Sequence, residues 1–326
     1  MSYRIFITAP GIAVEAQKFL KSRNCVLQVG HITDSSDIIS KKLAAFNPDG
    51  LIVRKGNITA DVVNAPKNLK AICKHGIGSD NIDIEAANNL GIPVMFTPGA
   101  NDETVAEHTL ALMLALTRKI TEQDRKIRSG VFDNATFEGF ELLGKTLGII
   151  GFGRIGRRLS ELVAPFQMRV LVFHPSFTHE TLAPYITKVP CVEDIFRRAD
   201  IISLHCPLYA STEGMISKST LDQMKADVMI INTSRGGIID ESDLYQGLMT
   251  GRIGGAALDV YETEPPPENY PYYKLNNVVL SAHTAGISFN SLRNMGMAAA
   301  KNVLGVLSGD PPDTNSLINR EILEKR

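Results

Sequence analysis

The 326-residue sequence has few cysteines, almost no net charge and no long apolar run. Each shortage removes a class of protein. The four cysteines, Cys25, Cys73, Cys191 and Cys206, are widely spaced and form no CxxC pair, so neither a zinc site nor a disulfide framework is indicated. Cys73 and Cys206 close the apolar runs LKAICK and IISLHC and are expected to be buried or half-buried free thiols. A formal net charge of −1 creates no global field toward nucleic acid or an anionic membrane. No uninterrupted apolar run reaches the ~18 residues that a membrane-crossing helix needs. The opening MSYRIFITAP lacks the basic start and long apolar stretch of a signal peptide, so a cytoplasmic protein is expected. There is no low-complexity tract, and the proline cluster Pro265–Pro267 reads as a local loop.

What is present is a rhythm. Short apolar runs recur: YRIFIT (3–8), GLIVRK (50–55), LKAICK (69–74), IPVMFT (92–97), TLGIIG (146–151), RVLVFH (169–174), DIISLH (200–205), VMIINT (228–233), GAALDV (255–260) and NVVLSA (277–282). Most are apolar on both faces, as parallel strands covered by helices on each side should be. Between them lie helical stretches such as TVAEHTLALMLALTRKI (104–120) and RIGRRLSELVAPF (154–166). Alternation of this kind predicts an α/β doubly wound fold. The length corresponds to about two domains of ~100–200 residues each. After Gly286 no strong strand remains to begin a new domain, so the tail is expected to pack back on the first. The expected division is residues 1–99 plus 287–326 as a discontinuous domain, and residues 100–286 as the other.

Gly151-Phe152-Gly153-Arg154-Ile155-Gly156 is a GxGxxG that directly follows the strand TLGII and opens a helix. That context makes residues 100–286 a dinucleotide-binding domain of Rossmann-like type. Gly151 allows the tight turn, Gly153 lets backbone approach a pyrophosphate, and Gly156 allows close helix–strand packing. The helix N-terminus, with Arg154 and Ile155, presents free N–H groups to the phosphates. The acid that normally follows the next strand and holds the ribose hydroxyls of NAD is missing. His174-Pro175-Ser176 stands there instead. Without a carboxylate the 2′-phosphate of NADP is tolerated, yet no arginine follows closely to bind it. His174 is either a loop histidine or a phosphate contact. NAD and NADP both stay open, with a slight lean to NADP.

Three polar residues stand just beyond late strands: Arg235, Glu264 and His283. In doubly wound folds ligands bind outside the carboxyl ends of the strands, so one crevice can collect all three. Such a set fits reduction of a 2-oxo acid, which needs a hydride at the carbonyl carbon and a proton for its oxygen. A histidine, with an ordinary pKa of ~6.5, suits the proton step. A carboxylate beside it would orient the ring and favour the imidazolium. An arginine can bind the substrate carboxylate and polarise the carbonyl. Each has a bland reading alone, and chemistry does not choose between Glu262 and Glu264 for the acid.

The chain resembles the D-isomer-specific 2-hydroxyacid dehydrogenases, and within them the 3-phosphoglycerate dehydrogenases and hydroxypyruvate or glyoxylate reductases. The likeness spans nearly the whole sequence. It is carried by HGIGSDNIDIEAANNLGIPV (75–94), TPGANDETVAEHTLALMLAL (97–116), LGKTLGIIGFGRIG (143–156), LHCPL (204–208), INTSRGGIIDE (231–241), GAALDVYETEPP (255–266) and SAHTAG (281–286). The separations, 29 residues from Arg235 to Glu264 and 19 from Glu264 to His283, also fit the family pattern.

The resemblance implies two doubly wound parallel-sheet domains with an interdomain active-site cleft, the first domain binding substrate. It places the acid immediately before the first proline, at Glu264. It implies cofactor contacts at Val105, Cys206, Pro207, Thr212, Thr233, Ser234, Asp259 and Gly286. Gly76, Ile77 and Gly78 would offer N–H groups to the substrate carboxylate. The family usually forms homodimers, and TLALMLAL is either a dimer surface or ordinary core.

Arg54-Lys55 and Lys74-His75 end strands of the first domain and suggest a basic rim suited to a phosphorylated substrate. That favours 3-phosphohydroxypyruvate, with hydroxypyruvate or glyoxylate as close rivals. The chain stops near residue 326 without the C-terminal regulatory domain of longer phosphoglycerate dehydrogenases, so serine feedback through such a domain is not expected. An alternative of another class is an NAD(H)-binding, corepressor-like interaction protein, against which this compact chain shows no partner-binding extension.

Overall fold

The computed structural model describes residues 2–135, 137–175 and 181–323. The chain divides into two compact units, Met1–Asn101 with Ile287–Arg326, and Asp102–Gly286.

The first unit carries strands β1 (Arg4–Ile7), β2 (Val26–Val29), β3 (Gly50–Val53), β4 (Ala71–Lys74) and β5 (Val94–Met95). They form a parallel sheet in the order β2-β1-β3-β4-β5. Helices α1 (Val14–Ser22), α2 (Ser36–Phe46), α3 (Ala60–Asn64) and α4 (Ile84–Asn89) connect the strands. Strand side chains alternate between faces, which explains the continuous apolar runs. Ile5, Ile7, Ile52 and Cys73 pack with Ala16 and Leu20 of α1 and with Ala299 and Val303 of the tail. Phe6, Leu51, Val53 and Ile72 pack on the other face with Ile39 and Leu43 of α2, Val62 of α3 and Ala86 of α4.

In the second unit, helices α5 (Asp102–Thr117) and α6 (Ile120–Arg128) lead into β6 (Thr146–Ile150). Helix α7 (Arg154–Val163) and strands β7 (Arg169–Phe173) and β8 (Ile186–Lys188) follow. Next come α8 (Val192–Arg198), β9 (Ile201–Leu204), α9 (Lys218–Leu221) and β10 (Met229–Asn232). Helix α10 (Glu241–Met249), β11 (Gly255–Leu258) and β12 (Val278–Leu280) complete the unit. Its parallel sheet runs β12-β11-β10-β9-β6-β7-β8. Helix α11 (Phe289–Leu307), capped at its N-terminus by Ser288 and Ser291, returns to the first unit.

Two strands have no counterpart in the apolar runs. β2 and β8 are sheet edges, partly exposed, and neither carries a fully buried residue. A further reading is decided by α5. Leu112, Met113 and Leu116 of TLALMLAL lie in the core with Leu147 and Ile149 of β6 and Leu159 of α7. That face of the helix is spent on its own unit.

Candidate active site

The glycine turn is built by close approach. The Gly151 N–H donates to the Phe173 carbonyl at 2.9 Å, tying the end of β6 to the end of β7. Gly151 sits at φ +97°, and a Cβ there would lie 2.5 Å from the backbone of His205, so only glycine fits. At Gly156 a Cβ would lie 2.5 Å from the Gly151 carbonyl and 3.0 Å from Ile149, which lets α7 start tight against β6. Gly153, the N-cap of α7, differs: a Cβ there meets nothing within 4 Å. The first turn of α7, with Arg154 and Ile155, carries no acidic residue. The result is an open backbone face ahead of unpaired helix N–H groups, which fits a pyrophosphate.

Around it stand the other expected contacts. His174, half-buried, follows β7 beside the turn; Pro175 is exposed and Ser176 lies outside the described residues. Burial pushes the Cys206 thiol up to about 11, so it is protonated at neutral pH. Burial likewise holds His205 at about 4 and uncharged, with its Nε2 2.8 Å from the Ser203 hydroxyl. The Thr212 hydroxyl accepts from Tyr209 N at 2.8 Å and donates to the Pro207 carbonyl at 2.7 Å, closing the loop after β9. Val105 is buried on α5; its carbonyl accepts from the Thr109 hydroxyl, which meets Thr233 Oγ1 at 3.0 Å.

Arg235, Glu264 and His283 come from the loops after β10, β11 and β12, three adjacent parallel strands whose carboxyl ends share one edge. His283 Nδ1 lies 2.6 Å from Glu264 Oε2, while Glu264 Oε1 accepts from Tyr261 N at 3.2 Å. Both side chains stay open to solvent, at 48% and 36% exposure. His283 itself sits at φ +51°, a left-handed conformation uncommon outside glycine. What holds it there is Asp259, which has no accessible surface. The Asp259 carboxylate accepts from Ser281 Oγ (2.6 Å), Thr284 N (2.9 Å) and Ala285 N (2.8 Å), and its carbonyl accepts from His283 N (2.8 Å). This loop runs on to the half-buried Gly286. The Asp259 carboxylate thus orients the histidine loop.

Glu262, the rival acid, points elsewhere. Its Oε1 accepts from Glu241 N at 3.0 Å, so Glu264 is the carboxylate on His283. Arg235 is placed by Asn232, whose amide donates to the Arg235 carbonyl and whose oxygen accepts from both N and Oγ of Ser234. Gly236 then presses so closely on the Tyr261 carbonyl that no side chain fits between them. Asn232, Gly236, Tyr261 and Ser281 lie within the quoted motifs, but residue type alone did not single them out as the supports of the site.

In the first unit, His75 is buried with its Nε2 lacking a hydrogen-bond partner among the described residues. Burial, reinforced by the nearby Arg54 charge, holds it at about 4. It is therefore neutral, which corrects the expectation of a cationic Lys74-His75 rim. Lys74 Nζ donates to Asn81 Oδ1 at 2.6 Å, the half-buried Arg54 donates to the Pro10 carbonyl, and Lys55 is exposed. Gly76 is buried, its N–H donating to Thr97 Oγ1 at 3.1 Å, whereas Ile77 and Gly78 are partly exposed. Among the described residues no cluster of His, Cys, Asp or Glu is arranged for a metal, and no helix is long and apolar enough to cross a membrane.

Residues 110–285 match the model of the D-isomer specific 2-hydroxyacid dehydrogenase NAD binding domain. The chain belongs to this family. It is 39% identical over 306 residues to a D-3-phosphoglycerate dehydrogenase of Archaeoglobus fulgidus, covering 94% of this chain and 58% of that one. It is 39% identical over 275 residues to a glyoxylate reductase of Thermofilum pendens, covering 82% and 80%. A crystal structure from Thermus thermophilus superposes with a TM-score of 0.89 at 32% identity, over 97% of this chain and 99% of that one. The chain thus spans little more than half the length of the phosphoglycerate dehydrogenase and most of the reductase.

Proposed function

We propose that this family member interconverts a small 2-oxo acid and its D-2-hydroxy acid, with His283 as the proton-transfer residue. The observation that carries the reading is the 2.6 Å pairing of His283 Nδ1 with Glu264, beyond β12 and β11, which lie in a row with β10, the strand that delivers Arg235. With Glu264 accepting from Nδ1–H, the Nε2 atom is left to give its proton to the carbonyl oxygen. Arg235 binds the substrate carboxylate and polarises the carbonyl. The bound nicotinamide supplies the hydride. The turn Gly151–Gly156 holds its pyrophosphate, with Val105, Cys206, Pro207, Thr212, Thr233, Ser234 and Gly286 lining the remainder.

The first unit, residues 1–99 plus 287–326 in this reading, binds the substrate. Gly76, Ile77 and Gly78 face its carboxylate, while Arg54, Lys55 and His75 meet its far end. With His75 neutral, Arg54 and Lys55 supply the charge that favours 3-phosphohydroxypyruvate over hydroxypyruvate or glyoxylate. His174 in place of an acid leans the cofactor toward NADP. A homodimer belongs to the same proposal, and the exposed Ile120, Ile127, Val131 and Phe132 offer it apolar surface.

The test is kcat/KM for 3-phosphohydroxypyruvate, hydroxypyruvate and glyoxylate, each with NADH and NADPH. Highest efficiency with the phosphorylated acid and NADPH is expected. Tight cofactor binding without turnover of any acid would refute the enzymatic reading.

A further inference from the structure

The Glu264-bearing loop is secured from an unexpected direction. Glu241, the first residue of α10, and Glu262 bond each other's backbone reciprocally. Glu262 N donates to Glu241 Oε1 at 2.8 Å, and Glu241 N donates to Glu262 Oε1 at 3.0 Å. The Glu241 carbonyl accepts from the Tyr272 hydroxyl at 2.6 Å, and Tyr272 is stacked on Tyr270 with ring centroids 4.8 Å apart. Two residues beyond Glu262 is Glu264, itself fastened to Tyr261 N. This arrangement brings two carboxylates together, and burial, with the Glu262 charge adding to it, holds the Glu241 carboxyl above the usual carboxylate range. A surface loop has cheaper ways to satisfy two N–H groups. Tolerating like charges here has a purpose if the loop's position matters.

We propose that Glu241 is a positioning residue: its reciprocal pairing with Glu262 fixes the Tyr261–Glu264 segment so that Glu264 meets His283. The inference rests on the dehydrogenase reading above. What the latch needs from Glu241 is an oxygen acceptor, not a charge. Glutamine serves and alanine does not.

The experiment compares Glu241→Ala, Glu241→Gln, Glu262→Ala and the double alanine variant. Each is assayed for kcat, cofactor KM, the pH profile of reduction and melting temperature. In Glu241→Ala, kcat should fall about tenfold, with cofactor KM near wild type because the glycine turn is untouched; tenfold corresponds to about 1.4 kcal/mol. The alkaline limb of the profile should move to lower pH. Glu241→Gln should restore both to within about twofold, given that its amide oxygen replaces the acceptor. Glu262→Ala should match Glu241→Ala, and the double variant should be no worse, since both break one latch. If Glu241→Ala does not fold, Glu262→Ala carries the comparison with wild type. Wild-type kcat and pH profile in the folded alanine variants, or equal impairment in alanine and glutamine, would overturn the proposal. Absence of wild-type turnover would instead remove the dehydrogenase reading, and the latch with it.

Discussion

Gly153→Ala separates a glycine kept for a ligand from one kept for the fold. No protein atom lies within 4 Å of an added Cβ at Gly153, and its backbone, at φ −81° and ψ −157°, is open to alanine. Alanine is a weaker helix N-cap than glycine. Against that, it gains about 0.4–1 kcal/mol from a stiffer unfolded chain. Stability should therefore change by less than about 1 kcal/mol, a few degrees of melting temperature at most. Dinucleotide binding should suffer instead. A methyl group set between backbone and pyrophosphate costs about 1–3 kcal/mol, as overpacking generally does, which is roughly a 5- to 150-fold rise in Kd. Gly156→Ala should behave in the opposite way. Its Cβ would meet the Gly151 carbonyl at 2.5 Å, so the apoprotein itself loses stability. Melting curves and calorimetric titration with NADH and NADPH read both effects. Wild-type cofactor affinity in Gly153→Ala would refute the placement of the pyrophosphate over this turn.

Glu264→Gln should move the alkaline limb of the reduction profile to lower pH. The pair is half-exposed, so its strength is of order 0.2–1 kcal/mol, and the displacement should be small. Glu262→Gln keeps the acceptor for Glu241 N and should leave kcat and the profile near wild type; the reverse ranking, read from pH–rate curves, means the wrong acid was assigned. His75 gives a stability prediction. Its folded pKa of about 4 lies below the ordinary ~6.5, so stability is complete above pH ~6.5 and is lost as pH falls toward 4. Urea unfolding at pH 7 and pH 4.5 should show His75→Leu gaining about 2 kcal/mol relative to wild type at the lower pH; a constant difference would mean that His75 titrates normally.

Much of the architecture was legible because the central strands are buried on both faces and leave unbroken apolar runs. The edges β2 and β8 were not, since an edge strand open to solvent needs no such run. The site divided along similar lines. Arg235 and His283 were proposed from residue type and their place beyond late strands, Glu264 was preferred to Glu262 only through the family resemblance, and Gly151–Gly156 was read from its place between a strand and a helix. How they are held was hidden. Asp259 beneath the histidine loop, expected only as a cofactor contact, Gly236 against Tyr261, and Glu241 against Glu262 join positions 21 to 25 residues apart, and nothing local marks such contacts. The charge state of His75 was also out of reach, because burial, not residue type, decides it.

In the proposed mechanism His283 exchanges the proton while the glycine turn independently holds the cofactor. Single-turnover reduction by the His283→Ala variant, alongside calorimetric binding of the reduced cofactor, tests it most directly. The rate should lie at least about a hundredfold below wild type, with cofactor Kd changed by less than about threefold. A wild-type rate in that variant would contradict it.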